Sequence, residues 1–201
     1  LAGNRVFKLT KQGEHWEPIS PDLSARDPEK IMSVGSGAEN YGVVYALCES
    51  PLKAGMLWAG TDDGKLWVTR DGGATWTDLT RNLPGEARNQ WISRIEAGHF
   101  SADEAYVVVD AHRSGNFAPL AYRTGDGGKN WTKITTGIPA VEPAKVIRED
   151  LSNQNLLFLG TEFQLYMSLD RGKQWMKFAG LPTVAVDDLV IHPRERDLVI
   201  A

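Results

Sequence analysis

Three stretches decide the fold: "TRDGGATWTDL" at 69–79, "TGDGGKNWTKI" at 124–134 and "SLDRGKQWMKF" at 168–178. Each sets a hydroxyl residue first, Asp two positions on, Gly four on and Trp seven on. The residues are Thr69, Asp71, Gly73 and Trp76; Thr124, Asp126, Gly128 and Trp131; and Ser168, Asp170, Gly172 and Trp175. A decayed fourth copy lies in "LTKQGEHW", where Gly13 and Trp16 keep their places and Lys11 stands for the Asp. Trp16, Trp76, Trp131 and Trp175 are thus 60, 55 and 44 residues apart, the mark of a repeat architecture.

The flanking text repeats too. Ahead of each box lies an apolar strand, in "MLWAGTDDG" (56–64), "EAYVVVDAH" (104–112) and "NLLFLGTEF" (155–163). Another strand precedes it, in "GVVYALCESP", "ISRIEAGHFS" and "AKVIREDLS", and a turn follows the box at "RNLPG", "TGIPA" and "AGLPT". Short alternating runs punctuated by Gly, Pro and Asp read as antiparallel strands, and no segment keeps a helical period. The expected fold is all-β, each unit holding four strands, A to D, with the box in the C–D hairpin. There the Asp carboxylate accepts from backbone N–H groups of its own turn, Gly supplies a positive φ, and the Trp ring packs between strands. A calcium loop is the rival reading, but "DGGATW" offers one carboxylate where calcium takes six or more oxygens.

S/T-x-D-x-G-x-x-W is the Asp-box, or bacterial neuraminidase (BNR) repeat, and residues 69–76, 124–131 and 168–175 resemble it closely. The chain is similar to sortilin-like, photosystem-assembly-factor-like and xyloglucanase-type propellers. "LFLGTEFQLYMSLDRGKQW" and "VDDLVIHPRERDLVIA" look like bacterial exported proteins with sortilin-type repeats. The resemblance implies a β-propeller and an exported, periplasmic or extracellular location. It implies no reaction, since sialidases, glucanases, receptors and assembly factors share the box.

Cut into blades, the chain gives a half blade at 1–20, blades at about 41–80, 91–136 and 144–179, and a half blade at 186–201. That is about four blade equivalents, read as an incomplete piece of a larger propeller whose ends form an open arc. The alternative is a closed ring in which 5–10 pairs with 196–201. The expected partners are therefore the remaining blades of the same protein or a second copy, besides a ligand.

Composition narrows the ligand. With 22 Lys and Arg against 26 Asp and Glu, the net charge is −4, which gives no footprint for nucleic acid or an anionic membrane surface. The longest apolar runs are too short to span a bilayer, and "LAGNRVFK" carries no apolar signal core. The single cysteine, Cys48, excludes an internal disulfide and multi-cysteine zinc sites and reads as a small buried hydrophobe. No cofactor and no metal is expected.

The boxes mark the face of the A–B and C–D hairpins, and the resemblance implies a ligand site on the opposite face, where these families place theirs, at the B–C turns "TDDGK" (61–65), "DAHRSGNFAP" (110–119) and "TEFQ" (161–164). The repeats make Asp62 and Glu162 equivalent, with Asp110 close to that position. Candidate ligand-binding residues are Asp62, Asp110, His112, Arg113, Asn116 and Glu162, and Arg81, Glu86, Arg88 and Asn89 stand on D–A connections. Each has a plain rival: Asp62 and Asp63 before Gly64 suit a β-turn, and His112 and Arg113 suit a solvated loop. His99 and His192 fall on the box face, and Trp58, Trp67 and Trp91 on strand positions suited to blade packing.

Three functional classes follow. The first is a noncatalytic scaffold binding a protein, peptide or glycan on the loop face. The second is a glycoside hydrolase of the Asp-box propeller type, xyloglucanase-like, with catalytic carboxylates drawn from Asp62, Asp110 and Glu162. A sialidase ranks lower, because its three-arginine cluster and Tyr–Glu pair find no matching positions. The third is a purely structural module of a larger exported protein.

Overall fold

The computed structural model describes residues 3–28 and 41–201, so residues 1 and 2 of the expected first half blade lie outside the described residues. Sixteen strands follow one another among the described residues. The pair β1 (Phe7–Thr10) and β2 (His15–Pro18) comes first. Blade I holds β3 (Val44–Glu49), β4 (Leu57–Thr61), β5 (Leu66–Thr69) and β6 (Thr77–Asp78). Blade II holds β7 (Trp91–Ala97), β8 (Ala105–Asp110), β9 (Ala121–Thr124) and β10 (Thr132–Lys133). Blade III holds β11 (Ala144–Glu149), β12 (Leu157–Thr161), β13 (Leu165–Ser168) and β14 (Met176–Lys177), and β15 (Leu189–Ile191) with β16 (Leu198–Ile200) closes the list. Each blade is a four-stranded antiparallel sheet in sequence order, and each end pair is a two-stranded sheet of its own. No ladder joins β1 to β16 among the described residues, so stretches 5–10 and 196–201 do not pair.

Burial follows position in the blade. The second strands are covered on both faces by neighbouring blades; in β8 only Asp110 escapes full burial, and its "AYVVV" run is apolar on both faces for that reason. The outer strands β6, β10 and β14 are two residues long, exposed and polar or methionine-bearing, which keeps those edges short. Blades approach closely at strand-B glycines: a Cβ on Gly60 would stand 2.3 Å from Ile92 Cγ2 of the next blade.

The repeated turn is built alike three times. Thr124 Oγ1 donates to Asp126 Oδ1 (2.9 Å) and accepts from the Gly128 N–H (3.0 Å), while Asp126 accepts from the N–H and the side-chain amide of Asn130. Thr69 with Asp71, and Ser168 with Asp170, repeat the hydroxyl-to-carboxylate bond at 2.7 and 2.8 Å. The tryptophan rings, expected between strands, lie between one blade and the segment or blade before it. Trp76 Nε1 donates to Ile19 O (2.8 Å) of the segment before blade I, and Trp175 Nε1 to Ile134 O (2.6 Å) of blade II. Trp131 stands edge-on to Trp58 of blade I, ring centroids 6.2 Å apart. The box glycine serves the same contact. Gly73 has φ +99°, and a Cβ there would lie 2.3 Å from Ile19 O.

A second repeated device ties each third strand to the connection before its blade. Trp67 Nε1 donates to Leu23 O (2.7 Å), Tyr122 Oη to Glu86 Oε1 (2.8 Å) and Tyr166 Oη to Glu142 Oε2 (2.9 Å). Burial first, then the bond to Glu142, push the Tyr166 phenol up to about 12. The connections that carry the loop face are thus anchored by aromatic donors that are buried or half-buried.

Candidate functional site

Strand register fixes the site positions. The first strand of every blade carries a bulge at the same place, between Val44 and Ala46, Ile92 and Arg94, and Ala144 and Val146. Val44, Ile92 and Ala144 pair with Thr61, Val109 and Thr161, so the next residues, Asp62, Asp110 and Glu162, occupy one position in three blades. The sequence placed Asp110 only close to that position; the ladder places it there.

Equivalent positions carry different side-chain environments. The Asp62 carboxylate is buried and accepts from the N–H groups of Gly42 (2.9 Å) and Val43 (2.8 Å), and burial pushes its acid up against those bonds. Asp63 accepts from Ala25 N (2.7 Å) and from Thr61 Oγ1. Asp110 Oδ1 takes the His112 N–H (2.9 Å) and meets His112 Nδ1 at 2.6 Å. Glu162 stands where Pro143 offers no N–H, and pairs instead with Lys145 Nζ at 2.9 Å. Lys145 also reaches Asp187 Oδ1 at 2.6 Å; burial works against its charge, but Asp187 and Glu162 hold the ammonium above the usual lysine range.

Between blades II and III these groups open onto a cleft of about 640 Å³. Asp110, His112, Lys145 and Glu162 supply its polar groups, and Trp91, Phe117, Val141, Pro143 and Phe163 its apolar wall. Val141 is 71% exposed, Phe117 50% and Phe163 47%, so the wall faces solvent. A smaller cleft of about 240 Å³ between blades I and II shares Trp91 and Asp110 and adds Asp62, Asn89 and Arg113. The Arg113 guanidinium lies 4.8 Å from the Trp91 ring centre and 4.0 Å from Asp62 Oδ2. Trp91 therefore lines the site, where the sequence assigned it to packing, whereas Trp58 is fully buried as blade core. Asn116 caps its own loop by accepting from the Ala118 N–H (3.0 Å). Of the connection residues, Glu86 is held by Tyr122 and Lys133, and Arg88 donates to Leu83 O. Arg81 and Asn89 line a further surface hollow beside Lys65.

Sequence reasoning missed Phe117, Val141, Lys145 and Phe163. An aromatic beside a turn acid, as in "TEFQ", was the available signal for Phe163. It also missed the acids buried on the box face. Glu104 pairs with Arg123 and with Arg171 (2.6 Å), and Tyr106 Oη donates to Glu104 and Glu149, each at 2.9 Å. Glu149, 0% exposed, also accepts from the His99 N–H, and Glu96 beside it is pushed up by burial. Cys48 is half-buried in β3, where its Sγ accepts from the Ala97 N–H (3.3 Å), and His192 Nδ1 accepts from Glu195 N (3.0 Å) in a turn. Among the described residues no three His, Cys, Asp or Glu side chains converge as metal ligands, and no helix is long and apolar enough to cross a membrane.

Successive four-stranded blades with a cleft at their loop ends make this chain a β-propeller chain. Solved structures agree on the fold. An ancestral GH74 enzyme aligns with a TM-score of 0.64 at 19% identity over 88% of this chain and 21% of its own. YCF48 bound to D1 peptide aligns with a TM-score of 0.52 at 22% identity over 75% of this chain and 45% of its own. The extracellular domain of a hybrid two component system from B. thetaiotaomicron aligns with a TM-score of 0.58 at 16% identity over 78% and 19%. The chain thus spans less than half the length of each of these structures. No family model and no curated protein matches the sequence.

Proposed function

We propose that this chain is a stretch of an exported Asp-box repeat propeller that works as a noncatalytic binding scaffold. Its ligand is a protein or peptide segment seated on the face opposite the box turns, between blades II and III. One observation carries the reading: the 640 Å³ cleft presents solvent-facing Phe117, Val141 and Phe163 next to paired charges. Apolar side chains left open beside a few placed polar groups suit a ligand that covers them. A propeller of like fold has been solved with a peptide bound.

The second reading is a glycoside hydrolase. It is favoured by Asp110 and Glu162 lining one cleft and by the fold shared with a GH74 enzyme. It ranks second because His112 and Lys145 already engage those carboxylates.

Phe117→Ser and Phe163→Ser should each weaken capture of peptides from a random display library about tenfold, or ~1.4 kcal/mol. Both rings are half exposed, so melting temperature should hold. Sugar release from xyloglucan that disappears in Glu162→Gln would move the assignment to the hydrolase. No bound peptide, glycan or product at all would leave a structural module.

A further inference from the structure

We propose that the cleft between blades II and III takes a basic, apolar peptide segment, in which a lysine or arginine side chain lies beside a large aliphatic or aromatic one. The proposal rests on the binding role argued above and names the ligand chemistry for that site.

Charge arithmetic supports it. Asp110 and Glu162 line the cleft with Lys145 and His112, and Asp187 joins them through its pair with Lys145. Lys145 is divided between two acids, 2.9 Å from Glu162 and 2.6 Å from Asp187. Asp187, whose side chain is 68% exposed, keeps room for a further donor. The nearby Arg113 does not correct the balance, because it faces Asp62 in the neighbouring cleft. With Asp110 already met by His112 at 2.6 Å, one ammonium is shared by Glu162 and Asp187, which leaves acid in excess beside a solvent-facing apolar wall. An acid excess at a concave site draws a positive ligand group.

The apolar wall sets the other half of the ligand. Phe117 comes from blade II and Phe163 from blade III, with Val141 on the connection between them. A side chain entering from solvent meets Phe117 and Phe163, while its neighbour reaches Glu162 and Asp187. Trp91 at the cleft already holds a guanidinium, that of Arg113, at 4.8 Å from its ring centre. The same ring chemistry suits an incoming arginine or lysine. A neutral oligosaccharide would use the aromatics and leave the acid excess unanswered.

The test uses the 201-residue chain and four probes in calorimetric titrations. Three are blocked peptides that alternate leucine and phenylalanine with lysine, serine or glutamate; the fourth is a xyloglucan oligosaccharide. The lysine peptide should bind at least about tenfold more tightly than the serine peptide, with the glutamate peptide weakest. That advantage should shrink as salt rises from about 50 to about 500 mM, where the screening length falls several-fold. Glu162→Gln and Asp187→Asn should each remove the tightness of the lysine peptide relative to the serine peptide. Equal binding of the three peptides, or preference for glutamate, overturns the proposal and leaves a peptide-binding face. Binding of the oligosaccharide alone overturns it in favour of a glycan site. No binding by any probe removes both this proposal and the binding role.

Discussion

Asp126 carries the box turn through its carboxylate. The side-chain amide of Asn130, then its backbone N–H, hold the acid down at about 2, against an ordinary value of 3.8. A lowered acid adds stability above its unfolded value and loses it as pH falls through the folded one. The parent should therefore lose stability as pH drops from 3.8 towards 2, and Asp126→Asn should flatten that slope in urea titrations across the window. The flattening should be partial, because Asp71 also sits at about 2 and Asp170 is lowered too. An unchanged acid slope in Asp126→Asn would show that the turn does not use the charge. Position alone does not decide such roles. Asp62 and Glu162 share one register, yet Asp62 is absorbed by the Val43 N–H that Pro143 lacks, which leaves Glu162 to meet Lys145.

At the scale of elements, the box tryptophan joins one blade to the one before. The Trp175 ring is 2% exposed and its Nε1 donates to Ile134 O at 2.6 Å. Trp175→Ala should cost about 3–5 kcal/mol in a urea titration, the usual range for a buried aromatic truncated to alanine. Trp76→Ala should cost less, because that ring is only half-buried. A loss below about 1 kcal/mol for Trp175→Ala would contradict the blade-to-blade role. The box spelling was plain in the sequence, and so was the hairpin around it. The destination of the ring was not, since Ile134 lies 41 residues away and belongs to another sheet.

Across the molecule, blades II and III are clasped at both ends of β7 and β11. The loop end holds the cleft; the box end holds His99, whose Nδ1 is 3.4 Å from Glu149 Oε2 and 3.9 Å from Glu96 Oε1. The bond to Glu149 first, and Glu96 after it, raise His99 above 6.5, while burial and Arg148 oppose them. A raised histidine gives its full stabilisation below the unfolded value and loses it as pH climbs through the folded one. Burial raises Glu96 as well, with the same sign but from 4.5 upward. The parent should thus melt lower at pH 8.5 than at about pH 6, and His99→Gln should lose the part of that fall lying above 6.5. Matching melting curves for the two proteins at both pH values would show that His99 does not titrate in the clasp.

What the sequence determined by itself is the repeat and everything local to it. The box spelling, the turn residues and the strand periodicity specify hairpins, and the period joins them into blades, because those signals act over a few residues at a time. Only the tertiary structure decided which side chains meet. Phe117 and Phe163 share a wall although they come from different blades, and Asp110 and Glu162 share a cleft that leaves Asp62 behind. Buried Glu104 and Glu149 share Tyr106 Oη as a donor, 2 and 43 residues away from them in the chain. Contacts between blades depend on how two sheets lean together, and no window of the sequence holds that angle.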